Sequence, residues 1–64
     1  MDDREFKNFV KSSLDLLEPR AIAAEFDIGY PTVLRWASGV ARPHPKIREI
    51  IVKKITEMLE QKRK

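Results

Sequence analysis

The sequence predicts an all-α fold, a small bundle of four to five helices. Two observations support this prediction. Along most of the chain, apolar residues recur every three or four positions, which is the spacing of one face of an α-helix. Pro and Gly residues separate these periodic stretches, at places where helices start and stop. A chain of 64 residues makes one domain with a small core, so residues 1–64 are interpreted as a single domain.

The first predicted helix covers residues 3–17. Its apolar residues follow the pattern of one buried helix face; they are Phe6, Phe9, Val10, Leu14 and Leu17. Asp2 or Asp3 can cap its N-terminus, where the helix dipole favours acidic side chains. Pro19 ends this helix, because the residue before a proline is pushed out of helical geometry. The same proline can open the second helix as its first residue.

The second helix is predicted over residues 19–26 and the third over residues 30–38. In the turn between them, Asp27 is expected in the left-handed conformation, which Asp tolerates better than most residues. Ala23 lies where two crossing helices need a small side chain, and Gly39 ends the third helix. Two helices joined by such a turn form a helix-turn-helix unit. In that unit the second helix enters the major groove of DNA.

The faces of the third helix are predicted from its spacing. Val33 and Trp36 are expected to face the core, and the residues expected to face outward are Tyr30, Leu34, Arg35 and Ser38. An outward Leu beside an outward Arg and Tyr is unusual for a face that only meets water. The pattern therefore indicates a surface that contacts another molecule.

A loop with two prolines precedes the fourth helix, which Pro45 opens. His44 is interpreted as a loop residue or a helix cap. The apolar stripe of the fourth helix consists of Ile47, Ile50, Ile51, Ile55, Met58 and Leu59. Lys54 falls inside this stripe, so either its stem lies along the core with the amine in solvent, or the helix breaks near Lys53. The β-branched run 50–52 would also permit a strand, and residues 61–64 are predicted to form a frayed basic tail.

The charge distribution indicates an anionic partner. Thirteen Lys and Arg residues against ten Asp and Glu residues give a formal net charge of +3. From residue 33 onward the acidic residues are Glu49, Glu57 and Glu60, whereas most basic residues of the chain lie in this half. Such an asymmetry is typical of a surface that faces phosphates.

Several classes of protein are excluded at this point. The chain has no Cys and a single His, so neither a metal site nor a thiol nucleophile is expected. No pair of a nucleophile and a base and no glycine-rich phosphate loop is present, so no enzyme activity, cofactor or small-molecule substrate is predicted. No apolar run is long enough to cross a membrane, and the acidic N-terminus is unlike a secretory signal. An intracellular domain is the expectation.

Two stretches and a dipeptide resemble the DNA-binding domain of lambdoid phage Cro and repressor proteins. They are Ile-Ala-Ala-Glu-Phe-Asp-Ile at 22–28, Thr-Val-Leu-Arg-Trp-Ala-Ser-Gly at 32–39, and Arg42-Pro43. The likeness covers about residues 19–48. The chain departs from the family at Asp27, where Gly is usual. It also departs at residues 29–31, Gly-Tyr-Pro, where the family often has Gln, Ser or Asn.

The resemblance implies a sequence-specific transcriptional regulator of double-stranded DNA, a repressor that acts as a homodimer on a pseudo-palindrome. The residues it places against base edges are Tyr30, Pro31, Leu34, Arg35 and Ser38. Those it places near the DNA backbone are Arg20, Thr32, Arg42 and Lys46. Such a protein would work in the cytoplasm of a bacterial or phage-infected cell, at the nucleoid.

Two other functions fit the same residues. A non-catalytic adaptor could keep the helix-turn-helix fold and use Leu34 and Tyr30 to bind another protein. Residues 45–64 could also form a basic amphipathic helix that lies on a membrane surface. The core needs the apolar stripe of that helix, so the membrane interpretation ranks last.

Overall fold

The computed structural model describes the backbone of residues 1–63 and the side chains of residues 1–62. Within residues 1–63 the chain forms four helices and no strand. They are α1 (Asp3–Ser13), α2 (Pro19–Glu25), α3 (Tyr30–Ser38) and α4 (Pro45–Arg63). The all-α prediction is therefore confirmed, and the run 50–52 is helical. Helix α1 packs against α3 and α4, and α2 packs against α3.

Helix α1 starts as predicted and ends early. The Asp2 side chain accepts a hydrogen bond from the Glu5 amide at 2.8 Å, and the Glu5 side chain accepts one from the Asp2 amide. The helix ends at Ser13 and not at residue 17. The buried Ser13 hydroxyl donates to the Val10 carbonyl at 2.7 Å, and Ser favours such local bonds over continued helix. The following turn still carries Leu17 into the core.

Helices α2 and α3 pack closely through a short turn. Ala23 is buried at their contact, and its carbonyl accepts a hydrogen bond from the Ile28 amide at 3.0 Å. Asp27 has a φ of 54°, so the predicted left-handed residue is confirmed. Gly39 ends α3 with a φ of 83°, also in the left-handed region. The small Ala23 thus lets the two helices approach closely, and the left-handed residues Asp27 and Gly39 follow their C-terminal ends.

The core is formed by side chains from all four helices. Its fully buried side chains are Val10, Ile22, Val33 and Ile55. Trp36 is buried between Phe6 and Phe26, with ring centroids 6.2 Å and 5.9 Å away in edge-to-face arrangements. Aromatic pairs in this geometry contribute about 0.5–1.5 kcal/mol beyond the area that they bury. The inward prediction for Val33 and Trp36 is confirmed.

Helix α4 is continuous, and its buried stripe is narrower than predicted. Ile51 and Ile55 are buried, whereas Ile47 and Ile50 are 52% and 61% exposed. Because α4 packs mainly on α1, no neighbouring helix covers the flank that carries these two residues.

The helix does not break near Lys53, and the Lys54 ammonium reaches Glu25 of α2 at 3.1 Å. Residues 61–63 are helical and not frayed, and Lys64 lies outside the described residues.

Arg48 joins three distant segments at the start of α4. Its guanidinium donates to the Met1 carbonyl at 2.7 Å, to the Pro43 carbonyl at 3.4 Å, and to the Asp3 carboxylate. It also lies 5.8 Å from the centre of the Phe6 ring. The side chain is almost completely buried. We call this set of contacts the Arg48 anchor. It fixes the beginning of α1 and the loop after α3 against α4.

Candidate nucleic-acid interface

Helix α3 has one buried face and one open face. Val33 and Trp36 are packed in the core, while Tyr30 and Leu34 are each 43% exposed. Pro31, Arg35 and Ser38 are exposed as well. All five residues predicted to contact bases therefore lie on the surface of a single helix. We call them the α3 face.

Arg20 of α2 lies against the α3 face. Its guanidinium carbon is 5.2 Å from the centre of the Tyr30 ring, which is the geometry of a cation–π contact. Together with Glu18, Pro19 and Leu34, these two residues line a shallow and mainly apolar groove. Arg20, which is predicted to contact the DNA backbone, therefore lies directly beside Tyr30 and Leu34, which are predicted to contact bases.

The C-terminal end of α3 presents Arg35 and Ser38. Within the side chains of residues 1–62, ion pairs join Arg48 to Asp3 and Lys54 to Glu25, and Arg35 takes part in neither. The Ser38 hydroxyl donates to the Arg35 carbonyl at 3.1 Å. The Arg35 side chain therefore keeps its donors for another molecule, while the Ser38 hydroxyl keeps only its acceptor lone pairs.

The other residues that are predicted to contact the DNA backbone have different surroundings. Thr32 is half-buried, and its amide already donates to the Gly29 carbonyl at 3.1 Å. Lys46 is exposed on the first turn of α4, where its amide donates to His44 Nδ1 at 3.2 Å, so His44 does cap the helix. None of the hydrogen bonds or ion pairs between described residues joins Lys46 to the α3 face.

Arg42 borders a second groove, which lies between α1 and the end of α3. We call it the α1–α3 groove; its lining includes Arg4, Lys7, Ser38, Gly39, Ala41 and Arg42. A side-chain carbon built on Gly39 would lie only 2.9 Å from the Lys7 Cδ atom. The stem of Lys7 therefore lies directly over Gly39. Three cationic residues from two separate segments of the chain share this groove.

The sequence analysis did not single out Arg4, Lys7 or Arg48. Arg4 and Lys7 are three residues apart on α1, so helical spacing could have placed both on one flank. It could not have placed that flank next to Arg42. No local pattern distinguishes Arg48 from the other basic residues of α4, because two of its partners, Asp3 and Met1, lie 45 and 47 residues away in the chain.

Three further properties of the described residues concern metal ligands, shifted pKa values and membrane spans. Among residues 1–62, no group of three or more His, Cys, Asp or Glu side chains is placed to hold a metal ion. The pKa of Lys54 is raised above its ordinary value of 10.5, first by its hydrogen bond to Glu25 and then by the charge of Glu25. This group lies on α4 and not on the α3 face. In the part of the chain that the structure describes, no helix is both long and apolar enough to cross a membrane.

No protein-family model matches this chain, and neither does any curated protein or solved structure. The residues and geometry described above are therefore the basis for a function.

Proposed function

We propose that this chain is a sequence-specific regulator that binds double-stranded DNA, a Cro-type repressor of a phage or prophage. In this proposal α2, the turn and α3 form a helix-turn-helix, and the α3 face reads base edges in the major groove. The observation that supports it most is the α3 face itself: five outward residues on one short helix, including an arginine with no ion pair among residues 1–62.

The dimensions of α3 suit this role. A helix with its side chains is about 10–12 Å wide, and the major groove of B-DNA is about 12 Å wide. Arg35 can donate two hydrogen bonds to O6 and N7 of one guanine, which is the commonest base-specific contact of arginine. Leu34 and the Tyr30 ring can pack on thymine methyl groups. The bases would then be recognised by polar hydrogen bonds from Arg35 and by apolar contacts from Leu34 and Tyr30.

The backbone-contacting residues surround that face. Arg20 lies over the Tyr30 ring, so its charge is held at the edge of the face where a phosphate would pass. Arg42 follows the end of α3, and Lys46 begins α4. Thr32 lies on the first turn of α3, but its amide is already used in the turn, so its contact with a phosphate would come from the side chain.

A homodimer belongs to the same proposal. Half-sites of a pseudo-palindrome lie about 34 Å apart, one helical turn of DNA. The described chain is 30 Å along its longest axis, which is comparable with this spacing. The exposed pair Ile47 and Ile50 is available for contact between copies. A repressor of this kind would act at the bacterial nucleoid by occupying a promoter and excluding polymerase.

The test is selection of duplexes from a random pool, at low and at moderate salt, with wild type, Arg35→Ala and Lys53→Ala. Wild type should enrich a palindromic motif, and Arg35→Ala should lose about 1–3 kcal/mol of preference at one guanine in each half-site. Lys53→Ala removes an exposed charge from α4 and should keep the motif. If Arg35→Ala keeps the wild-type preference, the assignment of the α3 face is wrong.

A protein-interaction adaptor is the second candidate, and one observation favours it. Besides Tyr30 and Leu34, the exposed apolar residues include Ile47, Ile50 and Val40, which is a large apolar surface for such a small chain. If wild type enriches no duplex at either salt concentration, this candidate replaces the regulator. A search for partners that lose binding to Leu34→Ala would then follow.

A further inference from the structure

We propose that Arg4 and Lys7 of α1, together with Arg42, form a second phosphate-binding site for the DNA strand that borders the far end of the α3 face. The site is the α1–α3 groove, and the ligand is the phosphodiester backbone of the same duplex. This inference rests on the proposed function, and it extends the protein surface on DNA to a helix outside the α2–α3 unit.

The first argument is position. The groove contains Ser38, the last residue of the α3 face, together with Arg42, which the sequence already predicts beside the DNA backbone. Arg4 and Lys7 line the same groove from the opposite wall. A strand that follows Arg42 past the end of α3 would therefore meet both α1 residues.

The second argument is charge. The first turn of α1 also carries three acidic residues, Asp2, Asp3 and Glu5, but each has an internal contact. Asp3 lines the groove, and its carboxylate is bound by Arg48. Asp2 and Glu5 exchange hydrogen bonds in the cap of α1. Within the described side chains, neither Arg4 nor Lys7 takes part in an ion pair. Because Asp2 and Glu5 are not part of the groove lining and Arg48 balances the charge of Asp3, the lining carries a positive charge that favours an anion.

Helix stability does not explain Arg4, which lies in the first turn of α1, where the helix dipole disfavours positive charge. The stem of Lys7 lies over Gly39, with its Cδ atom 2.9 Å from the position that a side-chain carbon on Gly39 would take. The contact limits the directions in which the ammonium can point and keeps it beside the loop that carries Arg42.

The experiment measures binding to the selected duplex as a function of salt, for wild type and for the double variant Arg4→Gln, Lys7→Gln. Glutamine retains the first three side-chain carbons of lysine, so the packing over Gly39 is largely kept. Two lost phosphate contacts should reduce the slope of log K against log salt by about 1.8. The ratio of wild-type to variant affinity should therefore fall about twelvefold between about 50 and 200 mM salt.

Two further variants show whether the effect belongs to the groove. Arg42→Gln should reduce the slope by about 0.9, because it removes one contact of the same kind. Lys53→Gln removes an equal charge from α4 and should leave the slope at the wild-type value. Circular dichroism of each free variant checks that the helices are intact. Since Arg4 opposes the helix dipole, its replacement should not weaken α1.

A scan of the half-site with single methylphosphonates, which remove the phosphate charge, then locates the contact. At one or two phosphates the substitution should weaken wild type and leave the double variant unchanged. If wild type binds and both proteins give the same slope and the same scan, the inference is wrong while the proposed function stands. If wild type binds no duplex, the proposed function fails and this inference fails with it.

Discussion

Arg35 on α3 and Arg48 on α4 carry the same side chain in opposite surroundings. The Arg48 guanidinium is buried and donates to two carbonyls and one carboxylate, from Met1, Pro43 and Asp3. Arg35 is exposed, and among the described side chains it forms no ion pair. The sequence alone does not tell the two residues apart, because each is an arginine within a predicted helix.

The difference shows how to distinguish a structural arginine from one that is available to a ligand. A buried guanidinium is costly unless its donors are bonded; both terminal nitrogens of Arg48 have partners within the chain, while its Nε has none among the described residues. An exposed one stays hydrated and can exchange water for an outside acceptor. We therefore assign the Arg48 anchor to the stability of the fold, whereas Arg35 is the arginine that the proposed function uses for binding.

The largest effect is expected from Arg48→Ala. Two part-buried hydrogen bonds to carbonyl groups and an ion pair would be lost, so the free energy of unfolding should fall by about 1–3 kcal/mol. Asp3 is half-exposed and would be rehydrated, which keeps the loss below that of a fully buried pair. Urea unfolding measures it, with Arg35→Ala as the matched control. That control should change stability by about 0.5 kcal/mol or less. Equal losses in the two variants would remove the distinction between the arginines.

Gly39→Ala should have the next largest effect, because Gly39 has a left-handed backbone with a φ of 83°. This conformation costs an L-residue about 1–2 kcal/mol, while the Lys7 stem that the added carbon would meet can move aside. Gly29→Ala is the control: Gly29 has a φ of −75° and its added carbon would meet only an ordinary contact at 3.5 Å. Thermal unfolding should show a much larger loss for Gly39→Ala, and comparable losses would contradict the strain at Gly39.

The smallest effect is expected from pH, through the exposed pair of Lys54 and Glu25. Folding raises the pKa of Lys54 above its ordinary value of 10.5, mainly through the hydrogen bond to Glu25. The pair therefore stabilises the fold below pH 10.5, and this contribution disappears as pH rises through the raised pKa. The urea midpoint of unfolding is measured below pH 10.5 and again above the raised pKa of Lys54. Between these two conditions it should fall slightly more for wild type than for Lys54→Met. Identical pH profiles would show that solvent screens the pair completely.

Much of the fold was predictable because helix boundaries depend on local residues. Pro19, Asp27, Gly39 and Pro45 act within a turn or two of their own positions, and the starts of α2 and α4, the left-handed residue and the end of α3 lie where the sequence places them. Helix α2 ends at Glu25, one residue before its predicted end. The end of α1 was predicted too late, since the bond from the Ser13 hydroxyl to the Val10 carbonyl is invisible to a search for apolar periodicity.

The outward direction of the α3 face was predictable for the same reason, because one helix determines which of its residues share a face. Contacts between distant segments were not. Periodicity included Ile47 and Ile50 in the stripe of α4 but could not show that α1 covers only part of that stripe. It also gave no reason to place Lys7 beside Arg42, because this depends on how α1 crosses the end of α3.

The Arg48 anchor also has a consequence for the order in which the domain assembles during synthesis. Its bond to Asp3 spans 45 residues, so the beginning of α1 leaves the ribosome long before its partner on α4 does. At a synthesis rate of about 5–20 residues per second, α1 waits several seconds for that contact. The beginning of α1 is therefore fixed only after α4 has been made, and until then the part of α1 that α4 covers remains accessible to chaperones.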